Sequence, residues 1–177
     1  MDKIYKKAKR IFSKKNKIKS WIAELLIISL LLPSLALAGT LRLSPSSGSY
    51  DVGETFTVDL LVDSGEEMNT AGATLTFDPQ IISVSSVSDR GSLFSMWPEG
   101  PEYSNSSGTI NFGGGMPGDS FSGSGGEIIS ITFRAKNEGQ AEVNFSDGQI
   151  IAAGADITSG LQGGSYSFQD STPKPTP

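Results

Sequence analysis

Downstream of residue 39 the apolar positions recur every second residue, and no window sustains the 3.6-residue spacing of an amphipathic helix. In TFTVDLLVD, Phe56, Val58, Leu60 and Val62 alternate with Thr55, Thr57, Asp59 and Leu61. Residues 70–77 repeat the pattern, with Ala71, Ala73, Leu75 and Phe77 on one side and Thr70, Gly72, Thr74 and Thr76 on the other. Shorter runs place Ile82, Val84 and Val87, then Ile110 and Phe112, then Ile129, Ile131 and Phe133 inward. Ala141, Val143 and Phe145 follow, then Tyr166 and Phe168, and Leu41–Leu43 supplies an opening strand. Turn signals separate the runs: PSSGS at 45–49, DSGEE at 63–67, NSSG at 105–108, KNEG at 136–139 and SDG at 146–148. Short alternating strands punctuated in this way predict an all-β fold, a β-sandwich of about nine strands. Each sheet buries one face and leaves a threonine-rich face solvated.

Two segments break the alternation. DRGSLFSMWPEG at 89–100 reads as a long connection carrying Phe94, Met96 and Trp97, and the glycine-rich stretch 113–126 reads as a flexible one. Loops of this length inside a domain are usually functional or disordered. From Asp170 the chain becomes DSTPKPTP, a Pro/Thr-rich linker or tail over 170–177.

Charge divides the chain further. Residues 1–38 carry nine Lys/Arg against two acids, net +7, whereas 39–177 carry five against seventeen, net −12. The basic stretch runs into LLIISLLLPSLALA, from Leu25 to Ala38, and closes on Ala36-Leu37-Ala38 with small residues where a signal peptidase needs them. A membrane span needs about 20 apolar residues; this run is shorter, carries Pro33, and meets Glu24 if extended upstream. Residues 1–38 therefore read as a signal peptide cleaved between Ala38 and Gly39, and 39–169 as the exported domain. The expected location is secreted or cell-surface, with membrane contact only through an uncleaved signal segment.

Composition removes several chemistries. The chain has no histidine and no cysteine, which excludes Ser-His-Asp triads, Cys-His proteases, zinc fingers and disulfides. An acidic domain lacks the clustered Lys and Arg that nucleic acid requires. The glycine-rich stretch has no Lys-Ser/Thr leading into a helix, so it is no phosphate loop. Glu99 and Glu102 flank Gly100-Pro101 and could be paired as a glycosidase pairs its carboxyls, but nothing else supports a hydrolytic site. Asp78 before Pro79 reads as a turn cap, and the remaining acids form no calcium loop. No enzyme activity, cofactor or metal is expected.

VGETFTVDLLVD at 52–63, AGATLTFDPQIISVSSV at 71–87, GTINFGGG at 108–115, GEIISITFRAK at 126–136 and AEVNFSDGQI at 141–150 follow one another in an order that resembles a cohesin domain. The Phe77-Asp78-Pro79 element leading into Ile81-Ile82-Ser83-Val84 is similar to that family's aromatic-Asp-Pro turn. The resemblance spans about Leu41 to Phe168. It implies a jelly-roll sandwich that binds dockerin modules of cellulosomes and related, often polysaccharide-degrading, assemblies. It also implies a docking face made by the outward residues Thr70, Gly72, Thr74 and Thr76, with Thr109, Asn111 and Gly113 on a neighbouring strand. Where the family often carries Asn or Asp at the first two positions, this chain has Thr70 and Gly72.

Aromatic side chains stack on sugars and recur at interfaces, so Phe94, Met96 and Trp97 are candidate rim or glycan contacts, unless the loop folds them over the sandwich end. Tyr103 belongs equally to a core or to the recognition face. The leading expectation is an exported, non-catalytic module holding a dockerin-like partner. The alternatives are a carbohydrate-binding module stacking polysaccharide on Trp97 and Tyr103, and a structural spacer in a surface protein.

Overall fold

A computed structural model describes residues 39–170; the expected signal segment through Ala38 and the tail beyond Asp170 lie outside the described residues. Among the described residues there is no helix, and eleven strands follow one another. They are β1 (Gly39–Ser44), β2 (Ser47–Asp51), β3 (Thr55–Phe77), β4 (Ile82–Ser88), β5 (Met96–Ser104) and β6 (Thr109–Gly115). The remainder are β7 (Phe121–Ala135), β8 (Gly139–Ala152), β9 (Ala155–Asp156), β10 (Thr158–Gln162) and β11 (Gly164–Gln169).

Strand β3 ties the two layers of the sandwich together. Its first half pairs antiparallel with β1 and β7, its second half with β6 and β8. One layer is thus β4-β7-β3-β1-β10 and the other β5-β6-β3-β8-β11-β2, with the parallel pairs β1-β10 and β2-β11 at two edges. The DSGEE segment, expected as a turn, does not reverse the chain. It is the corner where one strand leaves the first sheet and enters the second, a device of sandwiches whose sheets share a strand. Ser64 is buried there, and its hydroxyl donates to the Glu66 carbonyl at 2.6 Å.

The alternation read from the sequence holds on both sides of this corner, but its phase changes. Phe56, Val58, Leu60, Val62 and Met68 are buried at even positions, Ala71, Ala73, Leu75 and Phe77 at odd ones. The shift falls at Asn69, the extra residue where Met68 opposes Ala152 and Thr70 opposes Ile151. The Asn69 carbonyl, turned out of the ladder, accepts the Met116 amide at 2.9 Å. A second extra residue explains why Ile128 is buried beside Ile129, against strict alternation: Leu60 opposes Ile129 and Leu61 opposes Glu127. One inserted residue lets neighbouring side chains share a face.

Both layers feed one core. At one end Phe56 lies 4.2 Å from Tyr50, 5.1 Å from Tyr166, 5.5 Å from Phe133 and 5.6 Å from Phe168, measured between ring centroids. Tyr166 is fully buried, and its hydroxyl donates to the Pro45 carbonyl at 2.7 Å. Asp78 caps its turn as expected, accepting the Gln80 amide at 2.8 Å. Nearby Asn105 clamps both backbone groups of Val84, accepting from its N–H at 2.8 Å and donating to its carbonyl at 2.9 Å. Gly108, at φ 66°, passes so close to the Phe77 carbonyl that a Cβ would collide with it.

Several expected loops are strands. PSSGS contributes to β2, SDG is absorbed into β8 with Ser146 as an extra residue, and residues 96–100 begin β5. The stretch 113–126 is not one flexible connection: Gly113, Gly114 and Gly115 end β6 and Phe121 already opens β7. Hydrogen bonding across the ladder decides these segments, and local propensity for turns does not.

Candidate functional site

The outer face of β5, β6, β3 and β8 is built in rungs, because residues directly opposed in an antiparallel ladder share a side of the sheet. The first rung is Met96, Gly115, Thr70 and Ile151, and the second is Glu99, Gly113, Gly72 and Gln149. The third is Glu102, Asn111, Thr74 and Asp147, and the fourth is Ser104, Thr109, Thr76 and Asn144. The seven residues expected on β3 and β6 therefore lie together on one face. Around the first three rungs they floor a shallow groove of about 500 Å³, which Met116 and Pro117 close at one end.

The floor is flat because its centre has almost no side chains. Gly72 opposes Gly113, and a Cβ on Gly72 would sit 3.1 Å from the Phe112 carbonyl oxygen. Longer groups line the flanks, Met96 and Glu99 on β5 and Asp147 and Gln149 on β8, while Thr70, Thr74 and Asn111 stand on the middle strands. Met96 is 52% exposed, one of few large apolar side chains so displayed among the described residues. Gln149 donates to Asp156 at 3.3 Å. The Thr158 hydroxyl and amide hold the exposed Asp156 carboxyl below its ordinary range.

The remaining sequence candidates do not join this face. Phe94 is only 5% exposed, and its ring meets Trp97 edge-on at 5.5 Å. Both rings occupy the hollow left by Gly114, where a Cβ would approach Phe94 to 2.6 Å and Trp97 to 2.7 Å. Of the three rim candidates only Met96 reaches the groove. Tyr103 opposes Ile110, which points into the core, so it lies on the other side of the sheet from Thr74. Its hydroxyl donates to the Ser85 carbonyl of β4 at 3.4 Å, spanning the open edge between layers. Trp97 and Tyr103 thus both lie on the side of β5 away from the groove.

Glu99 and Glu102, weighed in the sequence only as a catalytic pair, stand instead on this outer face, Glu99 in the groove flank and Glu102 one rung further along β5. Regular alternation hides them, since Met96, Glu99 and Glu102 share a face at a spacing of three. Each interval in β5 holds one extra residue relative to β6. Pro98 and Pro101, one in each interval, are the readable signal, because proline within a sheet is confined to edges and bulges. Among the described residues no group of three or more acids is arranged to hold a metal.

A family model described as "Cohesin domain" matches residues 41–166. The chain belongs to the cohesin family. Cohesin domains are non-catalytic binding modules, and the sandwich agrees with solved members. The chain is similar to the cohesin CaCohA2 from Clostridium acetobutylicum, with 14% identity over 77% of this chain and 94% of that one, at a TM-score of 0.65. It is similar to a non-cellulosomal cohesin from the archaeon Archaeoglobus fulgidus, with 15% identity over 75% and 92%, at 0.62. A type I cohesin–dockerin complex of Clostridium thermocellum, Coh-OlpC-Doc435, matches with 13% identity over 76% and 95%, at 0.63. At such identities the likeness carries the fold alone. No curated protein matches the sequence.

Proposed function

We propose that this cohesin domain is an exported protein-binding module. Its partner is a dockerin-type helical module, carried by an enzyme or another surface protein, seated on the β5-β6-β3-β8 face. The observation that carries the reading is the four-strand face itself, with Gly72 opposing Gly113 at its centre and longer side chains along its flanks. Strands lie about 4.8 Å apart, so β5 and β8 are separated by about 14 Å. A helix with its side chains is about 10–12 Å across and fits between them. Helix-in-groove recognition needs such a floor, on which the partner's own anchors make the contacts.

Titration calorimetry of the full chain against dockerin modules of the source organism, with and without calcium, tests the reading. Thr74→Arg raises a bulky side chain from the groove floor and should weaken binding about a hundredfold. Thr57→Arg, on the outer face of the opposite layer, should leave it unchanged. The reverse pattern would move the docking face to the other sheet.

Export is supported by the basic segment, the apolar run and the Ala36-Leu37-Ala38 ending. N-terminal sequencing of protein recovered outside the cell should begin at Gly39; a product retaining Trp21 would show an uncleaved segment instead.

A further inference from the structure

The charge on the groove flanks specifies more about the occupant than its shape does. Within residues 39–170 there are seventeen acids and four basic side chains: Arg42, Arg90, Arg134 and Lys136. No Lys or Arg is found among the groove-lining residues. Arg42 pairs with Asp63 on β1 and β3, and Lys136 donates to the Pro79 carbonyl at the far turn. Glu99 and Glu102 stand along one flank, Asp147 along the other, and Asp156 lies beside Gln149.

We infer that the face selects a helix of a partner protein that carries one apolar residue followed by two Lys or Arg residues at i, i+4 and i+8. The inference rests on the docking face proposed above. Its basis is a match of two repeats. Successive rungs are two residues apart on the strands, about 6.7 Å, while four residues of helix rise 6.0 Å. A helix laid along β5 therefore brings positions i, i+4 and i+8 over Met96, Glu99 and Glu102. Asp147, across the third rung, presents a carboxylate to the helix's opposite side, where a further cation is accommodated. A second copy of this chain does not suit the face, since acidic flanks would meet acidic flanks. Flank charges exposed at a rim set selectivity and the salt dependence of association, and the flat floor admits many helices in shape alone.

The test uses the full, isotopically labelled chain and two helical 18-residue peptides. One carries Leu at i with Lys at i+4 and i+8; the other has Gln in place of both lysines. The Lys peptide should shift the amides of Gly72, Thr74, Asn111 and Gly113 and bind at least tenfold more tightly at low salt. Raising salt to 0.5 M should remove most of the difference, as should the triple variant E99Q/E102Q/D147N at an unchanged melting temperature. Equal affinity of the two peptides, or shifts confined to other surfaces, would overturn the inference. In parallel, the lysines of any dockerin that binds in calorimetry are exchanged for Gln. A dockerin insensitive to that exchange sinks the charge rule and leaves the dockerin reading standing. Lys-peptide binding on the face, with every dockerin inert, does the opposite.

Discussion

Tyr166 shows how one polar atom is accommodated inside an aromatic cluster. Its ring is packed against Phe56 at 5.1 Å, and its hydroxyl spends its proton on the Pro45 carbonyl. Burial, with Tyr50 nearby as a lesser cause, pushes the phenol above its ordinary range. Removing the hydroxyl in Tyr166→Phe leaves a carbonyl without its donor and should cost about 1–2 kcal/mol in chemical denaturation at pH 7. The sign of the pH effect follows from the raised folded-state value. The unfolded tyrosine begins to ionise near pH 10 and the folded one does not, so this stabilisation is complete below that point and fades above it. The difference between the parent and Tyr166→Phe should accordingly shrink as pH rises past 10. Glycines act at the same scale by omission: at Gly114 the missing side chain makes room for Phe94, which is buried in the core, and for Trp97, which packs partly buried against it.

Strands β3 and β5 show that a single added residue decides which side chains are functional. In β3 the extra residue Asn69 reverses the phase, so that threonines face solvent in the second sheet while alanines, Leu75 and Phe77 face the core. Deleting Asn69 should move Thr70, Thr74 and Thr76 inward, since a one-residue slip transfers every side chain to the other face. The expected readout is loss of the cooperative thermal transition. A glycine inserted between Gly65 and Glu66, in the exposed part of the corner, should keep that transition. In β5 two extra residues bring Met96, Glu99 and Glu102 to the outer face and send Tyr103 to the opposite side. The positions on β3 and β6 were legible because those stretches are regular. Those on β5 were not, because period-two reasoning fails wherever the strand is bulged.

For the whole molecule, the ion pair between Arg42 and Asp63 joins β1 to β3, with Nε donating to Oδ2 at 2.7 Å, and the Gly125 amide of β7 adds a bond at 2.6 Å. The Arg42 hydrogen bond is the main reason that the Asp63 carboxyl titrates below its ordinary range. A depressed folded-state value stabilises the fold above about pH 4, and that contribution is lost as pH falls through the folded value. For a partly exposed pair it amounts to at most about 1 kcal/mol. Asp63→Asn should thus be less stable than the parent at pH 6 and converge with it near pH 2, as followed by urea midpoints. Read alone, the sequence determined the all-β class, the inward residues of the main strands and the threonine face. These follow from alternation, a local property that any regular pleated strand must show. Only the tertiary structure decided the continuity of β3 through its corner, the burial of Phe94 and the acidic flanks of the groove. Each depends on which backbone lies alongside, and partners in a ladder are distant in sequence.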